Sequence, residues 1–141
     1  LLVDVSESMA YRGPGAPMSK LEYAQTAAAA LGYLVLHQQD RVVLVTFDRE
    51  FRALVRPSSN PSHLKQVVQV LDQARPERTT SVGAIFHDLA ERLKKRGIVI
   101  VLSDLFDDLN TLVAGLKHLF ESAARRKQPV CDADARRVVA S

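Results

Sequence analysis

The chain has 141 residues, 47% of them hydrophobic and 25% charged, which suits one ordinary globular domain with a genuine core. Its net charge of +3, from 19 basic and 16 acidic residues, is too small for the electrostatic footprint of a nucleic-acid binder, and no apolar run approaches a membrane span. The single cysteine, Cys131, excludes an internal disulfide framework and fits a reducing, cytoplasmic setting.

The chain begins without Met and inside an apolar run, so it reads as a piece of a longer protein. Leu1 to Val5 is a buried strand by pattern, and it feeds into Ser6-Glu7-Ser8-Met9. Asp4, Ser6 and Ser8 alternate, so an extended backbone puts all three on one side. Three oxygen-bearing side chains leaving one strand tip suit a hard divalent cation, which takes oxygen ligands. The plainer alternative is a polar strand exit with ordinary turn chemistry.

A Gly/Pro loop follows over residues 10–19, and Ser19 or its predecessor starts a helix from Lys20 to His37. Leu21, Ala24, Ala28, Leu31 and Val35 give its apolar stripe, and the Ala27 to Ala30 run adds helix propensity and a thin packing face. Val42 to Phe47 is a second strand, Asp48-Arg49-Glu50 a turn, and Phe51 to Val55 a third strand, antiparallel and at the edge. Asn60 as N-cap with Pro61 at the first helical position predicts a second helix, with Leu64, Val67, Val68 and Leu71 buried.

After a polar loop containing Pro76, Thr80 or Ser81 caps a third helix. Its face is Val82, Ile85, Phe86, Leu89 and Leu93, and its stop is Lys94-Lys95-Arg96-Gly97. Ile98 to Leu102 is uninterrupted and apolar, the pattern of a central strand buried on both faces. It exits into Ser103-Asp104, and Asp107 or Asp108 caps a fourth helix with Leu109, Leu112, Val113, Leu116 and Leu119 or Phe120 on one face. Residues 1–120 thus form the domain, and 121–141 an atypical tail with neither strand-like run nor clean stripe.

The order β-α-β-β-α-α-β-α predicts an α/β fold, a doubly wound, mostly parallel Rossmann-like sheet with one antiparallel edge strand. Right-handed crossovers put strands 1–5 and 98–102 side by side, with the hairpin on the other flank of the first. Ligands of such sheets bind where strand order reverses, at the carboxyl ends. Asp4, Ser6 and Ser8 leave one of those two strands and Asp104 leaves the other, so two distant segments meet at one crevice. Thr80, in the loop before the third helix, reaches the same end; as an alternative it is simply an N-cap, and both roles can coexist on different atoms.

Asp4-Val-Ser6-Glu-Ser8-Met9, then Thr80 before a helix, then Leu-Ser-Asp104 resemble the metal-ion-dependent adhesion site of von Willebrand factor A domains. The finer likeness is to the bacterial domain-of-unknown-function family 58, through the Ala-rich helix and the Asp40-Arg-Val-x-Leu-Val-x-Phe47 strand. The resemblance implies a Mg2+ site, with Mn2+ as a substitute. Ser6 and Ser8 would bind through hydroxyls, Asp4 and Asp104 largely through waters, and Thr80 from the third loop. A carboxylate from a partner protein would complete the shell, and the partner implied is a MoxR-type AAA+ ATPase. Two departures stand out. Arg78-Thr79 precedes Thr80 where the family often has Gly-Gly, leaving Thr79 as an alternative ligand. The tail also does not resemble the further apolar strand with which the family sheet continues, so the expectation is a chain truncated at its C-terminal end.

The functional expectation is a metal-dependent protein-interaction module and not an enzyme, because the oxygen-only cluster lacks a nucleophile–base pair. The alternatives are a Mg2+-dependent phosphoryl-transfer or hydrolytic enzyme using Asp4, and a fragment with no working site. An Asp-based phosphatase usually has a second Asp two residues on, where this chain has Ser6. His37, His63, His87 and His118 are scattered without zinc spacing and read as surface or helix-packing residues.

Overall fold

The computed structural model describes residues 1–77, 82–92 and 97–124. Eight elements follow in order: β1 (Leu2–Asp4), α1 (Lys20–His37), β2 (Val42–Phe47), β3 (Phe51–Ser58), α2 (His63–Gln73), α3 (Val82–Arg92), β4 (Val101–Leu102) and α4 (Leu109–Ala124). A short 3-10 turn, Glu7–Ala10, follows β1. The sheet order is β3-β2-β1-β4, with β2 and β4 parallel to β1 and β3 antiparallel to β2. This is the predicted α/β arrangement, with the hairpin on one flank of β1 and β4 on the other.

The alternating strand residues build two cores, one on each face of the sheet. Val3, Val5, Leu44 and Val55 pack with Leu21, Ala24, Ala28 and Leu36 of α1 and with Val67 and Leu71 of α2. Leu2, Val45 and Phe47 face the other way, against Val82, Ile85, Phe86 and Leu89 of α3 and Leu112 and Leu119 of α4. A fully buried aliphatic or aromatic side chain contributes about 1.5–3 kcal/mol, so these two clusters hold the β1 tip in place from both sides.

Helix α1 has the predicted bounds, set by local chemistry. Ser19 Oγ accepts from Glu22 N–H, and Glu22 Oε2 accepts from Ser19 N–H at 2.6 Å, a reciprocal capping box. The hydrogen bonds to Ser19, backbone first, hold the Glu22 carboxyl below its ordinary value. Gly32 and Leu36 take the centre of the buried stripe, leaving Leu31 and Val35 on its flank.

Several expectations are corrected. Strand β1 ends at Asp4 and β3 runs on to Ser58, three residues past Val55, because Pro57 sits on an edge strand where a missing N–H is tolerated. Helix α2 begins at His63, with Ser62 as N-cap. Asn60 Oδ1 instead accepts from Ser62 N–H at 3.0 Å and from Ser62 Oγ at 2.9 Å, an Asx turn that leads into the helix. Val68 is exposed and His63 takes the buried position.

The segment expected to be a central strand lies at the sheet edge among the described residues. Only Val101 and Leu102 join the ladder, paired with β1, and Ile98 is 90% exposed. Helix α4 also departs from its predicted face. It buries Leu112, Gly115, Leu119 and Ser122, while Leu109, Val113 and Phe120 are exposed. The cause is a backbone-to-backbone crossing with α3. A Cβ on Gly83 would lie 2.6 Å from Thr111 O, and one on Gly115 would lie 2.6 Å from Gly83 O. The glycines therefore choose the contact face, and the larger apolar residues turn outward. The start of α3 at Thr80 or Ser81, Leu93, the Lys94-Lys95-Arg96 stop and the tail from residue 125 lie outside the described residues.

Candidate metal centre

Asp4 is the last residue of β1 and is fully buried, as is Ser6. Its two oxygens are both engaged. Asp4 Oδ1 accepts from Ser6 N–H at 2.8 Å, and Asp4 Oδ2 accepts from Ser103 Oγ at 2.6 Å. Val5 N–H is taken by Phe47 O, so the chain leaves the sheet only after Val5 and folds into the 3-10 turn that presents Ser6 and Ser8.

The second arm comes from beyond β4. Ser8 Oγ donates to Asp104 Oδ1 at 3.2 Å, and Ser6 Oγ lies 3.1 Å from Ser8 Oγ. Lys20, the first residue of α1, donates to Asp104 Oδ2 at 2.8 Å. Asp104 Oδ1 also accepts from Phe106 N–H at 3.4 Å, and the turn between them carries Leu105 at a φ of 54°. A non-glycine residue in that region is strained, and the hydrogen bond from Leu105 N–H to Ser103 Oγ holds it there. Burial works against ionisation of Asp104. The Lys20 ammonium, by hydrogen bond and by charge, then Phe106 N–H and the Ser8 hydroxyl outweigh it and hold the carboxyl below its ordinary value.

Asp4, Ser6, Ser8 and Asp104 are thus brought into one hydrogen-bonded chain at the carboxyl ends of β1 and β4. Thr80 and its alternative Thr79 lie outside the described residues. The start of α3 nevertheless sits beside the same loop, since Asp107 Oδ2 accepts from Gly83 N–H at 3.0 Å. Asp108, not Asp107, caps α4, accepting from Asn110 N–H at 3.0 Å and Thr111 N–H at 3.4 Å.

The family described as "Protein of unknown function DUF58" matches residues 1–133. The chain belongs to the DUF58 family. No curated protein matches it. Among the described residues of this DUF58 chain, no helix is long and apolar enough to cross a membrane. No group of three His, Cys, Asp or Glu is gathered as a metal site among them either. The strand-tip cluster is of another kind, two carboxylates with three hydroxyls. An oxygen-only set suits a hard cation, and its fit to Mg2+ rests on hydroxyls as well as carboxylates.

Two members of the cluster were not singled out from sequence. Ser103 reads as a loop residue beside Asp104. It is identified by register, because Val3 pairs with Leu102 and the following residues, Asp4 and Ser103, then meet. Lys20 reads as an ordinary helix-start cation, separated from Asp104 by more than half the chain.

Proposed function

We propose that this chain is a metal-dependent protein-interaction module whose Mg2+ site is built on Asp4, Ser6, Ser8 and Asp104, with Thr80 as the contribution of the third loop. One observation carries the reading: the Asp4 carboxylate is fully buried and its hydrogen-bond partners among the described residues, Ser6 N–H and Ser103 Oγ, are both neutral. A buried charge without a counter-charge is costly, and a cation beside it removes that cost. Ser103 acts as a positioning residue, holding the Asp4 carboxylate from behind. Lys20 occupies one Asp104 oxygen and gives way when the ion binds.

A divalent cation with few direct carboxylates stays under-neutralised and attracts a further anionic oxygen. The partner is therefore a protein offering an Asp or Glu side chain, and the resemblance to the MoxR-associated branch makes a MoxR-type AAA+ ATPase, in the cytoplasm, the first partner to test. Calorimetric titration with Mg2+ and Mn2+ is the direct experiment. Saturable binding that disappears in Asp4→Asn is expected, together with a metal-dependent rise in melting temperature. Absence of binding, or binding that survives Asp4→Asn, overturns the proposal.

A further inference from the structure

We propose that His87 and His118 form a second cation site, one that takes a divalent transition metal such as Ni2+ or Cu2+ rather than Mg2+. The two residues are 31 positions apart, on α3 and α4, and their Nδ1 atoms are 2.9 Å from each other. Their ring centroids are 4.5 Å apart and the rings are inclined by 52°.

The backbone sets this up. Gly83 meets Thr111 and Gly115, so α3 and α4 run side by side in the same direction at closest approach. His87 is one turn past Gly83, and His118 three residues past Gly115. The crossing thus delivers two imidazoles to one spot on the surface, with little freedom in the distance between their helices.

A hydrogen bond joins this pair, and it is a bent one. Two rings joined nitrogen to nitrogen in line would hold their centroids a full ring width beyond the 2.9 Å separation, farther than 4.5 Å. The rings are therefore bent off that line, which weakens an N–H···N bond. Bent rings with adjacent nitrogens are what two ligands of one ion require. With metal–nitrogen distances of about 2.0–2.1 Å, nitrogens 2.9 Å apart subtend about 90° at the ion. A right angle suits cis positions of octahedral or tetragonal Ni2+ and Cu2+ better than a tetrahedral ion. Imidazole nitrogen also selects these borderline metals over Mg2+, which takes oxygen.

The remaining positions fall to water. No third His, Cys, Asp or Glu is drawn in among the described residues, so the two imidazoles carry the site. It uses none of the residues of the strand-tip cluster.

The test is a titration of the full chain with Ni2+, read by calorimetry and by the NMR resonances of the four imidazoles. With the strand-tip site held by excess Mg2+, one saturable Ni2+ site is expected, with His87 and His118 broadened together while His37 and His63 are unaffected. His87→Gln and His118→Gln should each weaken binding by about tenfold or more, at least the loss seen when outer partners of metal sites are removed. Asp4→Asn should leave it unchanged. Both Gln substitutions are at the helix surface, and broadening in the unsubstituted chain gives a readout independent of them. No saturable binding, broadening at another histidine, or binding that follows Cys131→Ser instead of the two histidine variants overturns the proposal.

Discussion

Asp4 and Asp48 make an informative pair. Each lies at or just past the carboxyl end of one of two adjacent parallel strands, and each is fully buried. Asp48 is provided for within its own hairpin. Arg52 Nε donates to its Oδ2 at 2.6 Å, and Glu50 N–H donates to its Oδ1 at 3.0 Å. Among the described residues, Asp4 receives a backbone N–H and a hydroxyl, and no basic side chain. The cation nearest to it in the hydrogen-bonded chain, Lys20, is spent on Asp104. A buried carboxylate closed by its own Arg is a structural pair. One closed by neutral donors among the described residues, at a rim where hydroxyls converge, is where the proposed ion would supply the missing counter-charge.

The contrast can be broken most severely at Asp4. Asp4→Ala strands the Ser6 N–H and the Ser103 hydroxyl and should cost about 2–4 kcal/mol in chemical denaturation, besides abolishing any Mg2+ effect. With Asp4 intact, Mg2+ at a hundred times its dissociation constant should raise stability by about 2.7 kcal/mol, and a flat magnesium dependence of the melting temperature would remove the distinction drawn between the two aspartates.

At the other strand, Arg52→Met leaves Asp48 buried without its cation. The expected loss is about 2–3 kcal/mol, less than for a fully buried pair because Arg52 is part-exposed, and it should not respond to Mg2+. Recovery of the Arg52→Met variant by Mg2+ would show that the two carboxylates are equivalent after all.

Lys20→Met should change stability least, by about 0.2–1 kcal/mol, since the lysine side chain is 44% exposed. Its signature is in pH and affinity. The Asp104 carboxyl is lowered in the folded chain, so the pair stabilises fully above the ordinary aspartate range and loses that contribution as pH falls through the lower folded value. Removing Lys20 should raise the Asp104 pKa, measured by carboxyl NMR, and tighten Mg2+ binding by removing a competitor.

Much of the architecture was legible because it is locally encoded. The capping box and apolar stripe fix α1 to its end residues, and the β-branched run fixes β2. Asp4, Ser6, Ser8 and Asp104 could be read as one cluster because strand exits converge wherever sheet order reverses. What escaped was set by relations between segments. Ser103 depends on the register of β1 with β4, and Lys20 on where a Gly/Pro loop returns α1. The outward turn of Leu109, Val113 and Phe120 depends on two glycines that look unremarkable in the chain. The expectation of a buried 98–102 strand followed composition, and pairing partners decide burial in a sheet.

The two-residue pairing of β4 with β1 has a dynamic consequence. Few ladder bonds secure the 103–104 arm, whereas β1 is gripped by cores on both faces, so local opening should begin at that arm, with amide exchange there running ahead of the strands it abuts. An ion spanning both arms would then act as a clasp, and its occupancy would be recorded as slowed exchange at Leu105 and Phe106 long before any change in the global melting curve.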